Sequence, residues 1–411
     1  MSKVQLKDPN DLWGKSLGYP TSPGYKSKLG ALLDDRKFTR IGNYSHGYEK
    51  VFPHHIIKPS NEPFQFDDGS PPIYQDTFEY RYGREMYELE DYFKQYPVTS
   101  FMIARKGKIF VEKYLHERNN KHRFQSWSMA KSVTSLLLGI CLDSNWIDSI
   151  DDTVEKYVPE LKGTLHGQST IRNLGNMASG AEITHMSEDY NSLYPRCFSF
   201  PENTDILPVV AGWNKKSNAP PGATFNYNEL CALTIGILIR KVANMTLSQL
   251  FEQRIYQPMG GEDEVTWSTD SKGNEFNCIG IGMTTRDWCR LGMLIAGKGF
   301  MNKKQIISEK YVNEFTSWDL SKDKHLWSKN KHINSTMLQE QGVLGCGYKL
   351  FFWHQKPDGS QPTFSGHNGQ YIVIDIPSGT VMVMTGVSEE GPWQVEANAI
   401  FQAAINMKGK K

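Results

Sequence analysis

Residues 84–95 (REMYELEDYFKQ) are the first stretch whose apolar and polar positions fall into a regular pattern, and they read as a helix. Residues 1 to about 80 are rich in Pro, Gly, Asp and Tyr with little periodicity, as expected of an extended arm lying over a body. At 99–115 (TSFMIARKGKIFVEKYL) two apolar runs flank Lys106-Gly107, a hairpin signal. From Ser128 onward, SMAKSVTSLLLGICLDS sets Val133, Leu136, Leu137, Ile140 and Cys141 on one helical face.

STIRNLGNMASG (169–180) predicts a short helix ending at Gly180. Residues 181–222 read as loop, broken by Asn214-Lys215-Lys216 and Pro220-Pro221-Gly222. NELCALTIGILIRKVAN (228–244) is a strong helix, and LSQLFEQRIYQPMG (247–260) a second one closed by Pro258. MTTRDWCRLGMLIAGKG (283–299) is a helix capped by Thr284 or Thr285 and stopped by glycine. The polar stretch 318–341 reads as a surface loop. Three strands follow at 348–355, 370–377 and 380–387, the last two joined by Pro377-Ser378-Gly379, and residues 393–407 form a closing helix. Strands at both ends of the body with helices between them imply one sheet with an inserted helical unit. The expected class is α+β, an antiparallel sheet flanked by helices. The expected divisions are an N-terminal arm at 1–95, a sheet domain at 96–145 and 256–411, and a helical domain at 146–255.

Composition narrows the function classes. Lys+Arg and Asp+Glu number 46 and 45, so no net field favours nucleic acid or an anionic membrane as partner. No run approaches the roughly 20 apolar residues of a membrane helix. The N-terminus lacks the apolar stretch of a secretory signal, so the expected location is cytoplasmic. The six cysteines form no CxxC pair and match no zinc spacing; no metal or organic cofactor is expected. Cys141, Cys231 and Cys289 lie in apolar helical patterns and read as small buried hydrophobes. The sequence does not encode a legible oligomeric state.

Three short segments carry chemistry. Ser128-Met129-Ala130-Lys131 is a Ser-x-x-Lys at a predicted helix start. Three residues along a helix is just under one turn, so both side chains share a face. A serine hydroxyl needs a base to become a nucleophile, and a buried lysine can hold or accept that proton. By itself Ser-x-x-Lys is weak, since an ordinary capped helix with an exposed lysine also carries it. Here, however, FQSW precedes it and an apolar face follows. Tyr227, before the 228–244 helix, reads alone as packing. FSGHNGQYIVIDIP (364–377) reads alone as a tight turn with a surface histidine.

Together, in this order and spacing, these segments resemble the serine β-lactamase and penicillin-binding-protein superfamily, for which Ser-x-x-Lys is a motif. The resemblance covers roughly residues 95–405 and includes stretches without catalytic residues: DDTVEKYVPEL with TIRNLGNMASG, and the 283–299 segment with its Thr-x-Arg-Asp-x-x-Arg-x-Gly pattern. It is strongest to the branch of 6-aminohexanoate-dimer (nylon-oligomer) hydrolases and family VIII carboxylesterases. Glu188-Asp189-Tyr190 resembles that branch's Glu-Asp-Tyr, whose tyrosine closes over substrate. Gly366-His367-Asn368-Gly369-Gln370 resembles its Gly-x-x-Gly-Gln turn.

The resemblance implies a β-lactamase/D,D-peptidase-like fold and a serine hydrolase acting on a small amide or ester. Ser128, Lys131 and Tyr227 are the implied catalytic residues; Tyr190, Glu229, Gly366, His367 and Asn368 are the implied substrate-binding ones. Two departures matter. Where the family has Tyr-x-Asn or Tyr-x-Ser, this chain has Tyr227-Asn228-Glu229. Glu229 either raises the Lys131 pKa, holds a cationic substrate group, or points to solvent at a helix start favoured by the dipole. The third motif has two registers. Phe364-Ser365-Gly366 in place of Lys-Thr-Gly removes the cation that grips a carboxylate, whereas His367-Asn368-Gly369 supplies an imidazole. The first aligns Gly369-Gln370 with the branch, and on it His367 offers its backbone N–H to an oxyanion. The alternatives are acyl transfer to a non-water acceptor, a β-lactamase or D,D-peptidase, and, outside enzymes, a catalytically silent ligand-binding protein.

Overall fold

The structure is a computed structural model, and it describes residues 49, 53–67, 78–96, 98–115, 118–183, 205–317, 347–386 and 393–407. In chain order, β1 (His54–Ile57) is followed by the hairpin β2 (Glu79–Tyr82) and β3 (Glu85–Glu88), then α1 (Leu89–Gln95). Strands β4 (Val98–Arg105), β5 (Lys108–Tyr114) and β6 (Phe124–Gln125) lead to α2 (Met129–Asp143). After two 3-10 turns come α3 (Ile171–Gly175), α4 (Ile206–Gly212), α5 (Glu229–Ala243) and α6 (Leu247–Phe251). Then follow β7 (Val265–Ser268), β8 (Ile281–Met283), α7 (Thr285–Ala296), β9 (Phe300–Met301), β10 (Lys304–Gln305) and α8 (Glu309–Thr316). The chain closes with β11 (Gly347–Lys349), β12 (Phe352–His354), β13 (Pro362–Gly366), β14 (Gln370–Asp375), β15 (Thr380–Gly386) and α9 (Trp393–Asn406).

The main sheet has seven antiparallel strands in the order β11-β12-β13-β14-β15-β4-β5. Early strands β4 and β5 join the late ones across the β15–β4 pairing, so the sheet is assembled from both ends of the chain as the sequence pattern implies. Both faces are covered. Met102, Ala104, Ile372, Ile374, Val381 and Val383 belong to the large core under α2, α5 and α7. Their alternate neighbours Phe101, Ile103, Tyr371, Val373, Met382 and Met384 belong to a second core under α9 and α1. Burial on both faces explains why these strands read as unbroken apolar runs rather than alternating ones. A four-stranded sheet, β1-β7-β8-β6, ends on the strand that leads into α2.

Among the described residues, 146–255 carry helices and turns and no named strand, and they pack into the same apolar core as the inner face of the sheet. Residues 53–67 run along the body: β1 pairs with β7, and Ser60 and Phe64 donate to the carbonyls of Gly261 and Gly260. No single helix among the described residues is long and apolar enough to cross a membrane.

Several elements differ from expectation. Residues 84–95 are not one helix: Gly83, at φ 63°, turns the chain so that Glu85–Glu88 pairs with Glu79–Tyr82, and the helix starts only at Leu89. The α6 segment does not stop at Pro258. It runs through a π turn at Glu252–Tyr256 into Gln257–Met259, and Gly260 at φ 83° ends it. Pro258 fits because it stands in the first turn of that last piece, where no N–H is required. The expected strand 348–355 is a tight hairpin, since Leu350 and Phe351 both take left-handed φ. The 169–180 helix ends at Gly175, the helix Ile206–Gly212 lies in the expected loop, and β13 was not anticipated. Cys141, Cys231 and Cys289 are buried in the core as expected.

Candidate active site

Strand β6 pairs with β8 and leads directly into the Ser-x-x-Lys segment. Ser126 fixes the approach: its N–H donates to the Ile281 carbonyl at 2.7 Å and its Oγ accepts from the Ile281 N–H at 3.0 Å. Trp127 then takes φ 45°, a left-handed conformation costly for a bulky residue, by about 1–3 kcal/mol. That turn delivers Ser128 as the N-cap of α2. The next three N–H groups, of Met129, Ala130 and Lys131, donate to the carbonyls of Ser126, Trp127 and Ser128.

Lys131 lies one turn on, 1% exposed. Its Nζ donates to Ser128 Oγ at 2.9 Å and to the Cys278 carbonyl at 3.1 Å, and it is 2.9 Å from Glu229 Oε2. Burial works against the charge, yet the Glu229 carboxylate overrides it and holds the Lys131 pKa above its ordinary value. Of the three readings of Glu229, the structure therefore has the carboxylate buried and ion-paired with Lys131. It is the first residue of α5, whose N-cap Asn228 accepts from the Cys231 N–H.

Tyr227 precedes that cap and closes the site from the other side. Lys131 Nζ lies 4.9 Å from the centre of its ring. Burial raises the phenol pKa; the Lys131 charge and hydrogen bonds with Ser128 and Lys131 pull it down, and the net shift is upward. Trp353 stacks on Tyr227 at 5.9 Å and Tyr348 meets it edge-on at 6.0 Å, so the β11–β12 hairpin fixes the ring. The Ser-x-x-Lys helix and the Tyr227 segment thus meet at one buried point.

A family profile described as Beta-lactamase matches residues 88–405. The chain belongs to the β-lactamase family. It is 21% identical over 240 residues to the 6-aminohexanoate-dimer hydrolase of Paenarthrobacter ureafaciens, a match covering 55% of this chain and 58% of that protein's length. Among solved structures, a proposed 6-aminohexanoate-dimer hydrolase from Bacillus anthracis superposes with a TM-score of 0.73 at 21% identity, covering 94% of this chain and 97% of that one. A family VIII carboxylesterase superposes with a TM-score of 0.56 at 16% identity, over 75% of this chain and 92% of that one. Those superpositions establish the β-lactamase-like fold.

In this β-lactamase-family protein the third motif lies across from Ser128. Phe364-Ser365-Gly366 is the end of β13, and His367-Asn368-Gly369 is the turn after it, with Asn368 at φ 62°. Phe364 is fully buried and meets Phe352 edge-on, so no cation stands at that position. Gly366 passes tightly against the Ser126–Trp127 backbone. The exposed His367 ring lies edge-on to Trp127 at 5.2 Å. Gln370 Nε2 holds the turn by donating to the carbonyls of His367, Asn368 and Gly386. Asn368 is 3% exposed, and neither polar atom of its side chain makes a hydrogen bond among the described residues. Tyr190 lies outside the described residues.

Sequence reasoning missed four contributors. The Cys278 carbonyl is a backbone group, which any residue supplies. Its loop is pinned by the Asn277 carbonyl, which accepts from Thr134 Oγ1 of α2. Tyr348 and Trp353 read only as strand residues. Gln394 of α9 donates to Ser365 Oγ at 3.1 Å. Nothing in the sequence singles it out, because the same helix also carries Glu396, Asn398, Gln402 and Asn406.

Proposed function

We propose that this protein is a serine hydrolase that cleaves an amide or ester bond of a small molecule through an acyl-enzyme on Ser128. The carrying observation is the contact of Ser128 Oγ with Lys131 Nζ at 2.9 Å, with Tyr227 against both. Ser128 attacks the carbonyl while the Lys131–Tyr227 unit takes its proton and delivers one to the leaving group. The backbone N–H groups of Ser128 and His367 face the oxyanion, each contributing about 3–4 kcal/mol in comparable sites. Water then releases the acyl group. Asn368, a buried amide whose polar atoms make no hydrogen bond among the described residues, is read as a substrate contact, since a polar substrate group there removes its desolvation penalty.

The substrate class rests on the named relatives: a 6-aminohexanoate dimer is joined by an amide, and a carboxylesterase cleaves an ester. The test is intact-mass spectrometry after exposure to a slowly deacylating p-nitrophenyl ester. An acyl adduct on the wild type and none on Ser128→Ala supports the reading. An adduct that persists in Ser128→Ala places the nucleophile elsewhere.

A further inference from the structure

Resting on the acyl-enzyme reading above, we propose that Glu229 is the final acceptor of the Ser128 proton during acylation, with Lys131 as the carrier between them. The argument begins with donor counting. An ammonium has three N–H donors and no lone pair. Lys131 Nζ is met by Ser128 Oγ at 2.9 Å, the Cys278 carbonyl at 3.1 Å and Glu229 Oε2 at 2.9 Å, and it also hydrogen-bonds with the Tyr227 phenol. With every N–H committed, Lys131 cannot take a proton from Ser128 unless it releases one. A peptide carbonyl is not a base. The carboxylate is.

The groups facing Glu229 leave it that role. From α2 comes Lys131. Tyr227 stands just before α5, and Cys231 lies on α5 itself. Tyr348 faces it from β11, and the Cys278 loop closes the remaining side. Burial pushes the Tyr227 and Tyr348 phenols up and the Cys231 thiol up to about 11, so these stay neutral near pH 7. A neutral phenol donates; it does not accept as a base.

The step balances. The Ser128 Oγ–carbon bond forms as Oγ–H breaks. That proton passes to Lys131 Nζ while the Nζ–H facing Glu229 passes to Oε2. Lys131 ends as an ammonium, Glu229 as a neutral acid. When the carbon–leaving-group bond breaks, Tyr227 protonates the departing atom. Lys131 reprotonates Tyr227 and Glu229 reprotonates Lys131, which restores the starting ion pair. Glu229 acts through Lys131 and touches no substrate atom.

The test follows the burst of p-nitrophenolate from p-nitrophenyl acetate between about pH 5 and about pH 10, spanning carboxylate and lysine titration. In the wild type the burst rate is expected to be level through neutral pH and to fall only at the acid end, where the carboxylate takes up a proton. A wild-type rate that climbs steadily from neutral into the lysine range overturns the inference. Glu229→Gln is expected to slow the burst at neutral pH by about 100-fold or more, with activity returning only at alkaline pH, and Glu229→Asp to recover part of the loss. If Glu229 merely keeps Lys131 charged, Glu229→Gln acylates as fast as or faster than wild type at neutral pH, and the inference fails. Absence of any burst and of any Ser128 adduct in the wild type defeats the acyl-enzyme reading itself.

Discussion

A Cβ placed on Gly366 would lie 2.3 Å from the carbonyl oxygen of Ser126, two residues before the nucleophile candidate. The backbone of Gly366 is ordinary at φ −127°, so the constraint is close approach and not a left-handed conformation. The strand β13 and the Ser126–Trp127 turn are therefore in backbone contact, with room for hydrogen and nothing larger. The same Cβ would be 3.1 Å from the Trp127 Cβ and 3.0 Å from the Gln370 Cβ, so it cannot turn aside.

Gly366→Ala is thus expected to displace Ser128 or the 367–369 turn by a fraction of an ångström to an ångström. Misplacement of that size costs about 100-fold in rate. Ester turnover measured beside a thermal melt checks this. The expected outcome is a large fall in kcat/KM with a folded protein; unchanged turnover means that the strand and the Ser126–Ser128 turn are not coupled.

Asp287 and Arg290 form a buried pair on α7, at 0% and 1% exposure, with 2.7 Å between Arg290 Nη1 and Asp287 Oδ1. Asp287 also accepts from Tyr256, Thr284 and the N–H groups of Glu262 and Asp263. Arg290 reaches the Phe64 carbonyl and Glu262. The pair thereby ties the end of the α6 segment and the 53–67 strap to the sheet. Asp287→Ala strands a buried guanidinium and is expected to cost about 3–5 kcal/mol in chemical denaturation. The acyl burst per folded molecule is expected to stay at the wild-type level, since neither residue touches the Ser128 site. A stability loss under about 1 kcal/mol would show that the guanidinium finds other partners.

Much of this arrangement is legible in the sequence, and the reason differs from element to element. The long helices α2, α5 and α7 follow from apolar periodicity and their caps, because packing and local preference agree there. The departures from the sequence pattern cluster where tertiary contact decides. Glu85–Glu88 has helix-forming residues and is a strand because Gly83 turns it onto Glu79–Tyr82. Leu350 and Phe351 are apolar and make a turn. In the site, Ser128, Lys131 and Tyr227 follow from motif order. The position of Glu229 does not: a carboxylate in the first turn of a helix is equally at home in water, and only the packing of α2 against α5 puts it on Lys131. The Cys278 carbonyl leaves no trace in the sequence at all.

The absence of a cation at Phe364 bears on substrate choice. That side chain is sealed in the core against Phe352. The nearby Lys349 is directed elsewhere, donating to the Ser317 carbonyl at 2.8 Å and facing Glu314 at 3.5 Å. A β-lactam or peptide carboxylate therefore finds no ammonium on this strand. Turnover of p-nitrophenyl acetate is expected to exceed that of nitrocefin by a wide margin. Comparable rates would mean that another group, such as the exposed His367 ring, serves the carboxylate.

His55 on β1 bonds Glu275 through Nδ1 and Oε1 at 2.9 Å, and this contact makes the hold of the 53–67 strap on the body depend on pH. The hydrogen bond to Glu275 raises the His55 pKa above its ordinary 6.5 against the effect of burial. Burial alone would raise the Glu275 pKa. The bonds from His55 and the Ser248 N–H, with the nearby Arg240, outweigh it and hold the carboxyl below its ordinary 4.5. A raised histidine pKa adds stability that is complete below 6.5 and is lost as pH rises through the folded value. A lowered carboxyl pKa adds stability present above 4.5 and lost as pH falls through the folded value. The pair therefore stabilises most between these limits. Because His55 is about one-third exposed, solvent screening keeps the effect small. His55→Ala is expected to lower Tm by about a degree near pH 5.5 and by less near pH 8.5, where the wild-type imidazole is losing its charge. Thermal melts of both proteins at the two pH values decide it: an equal deficit at both would leave packing of β1 on β7, and not the charge on His55, as the source of the loss.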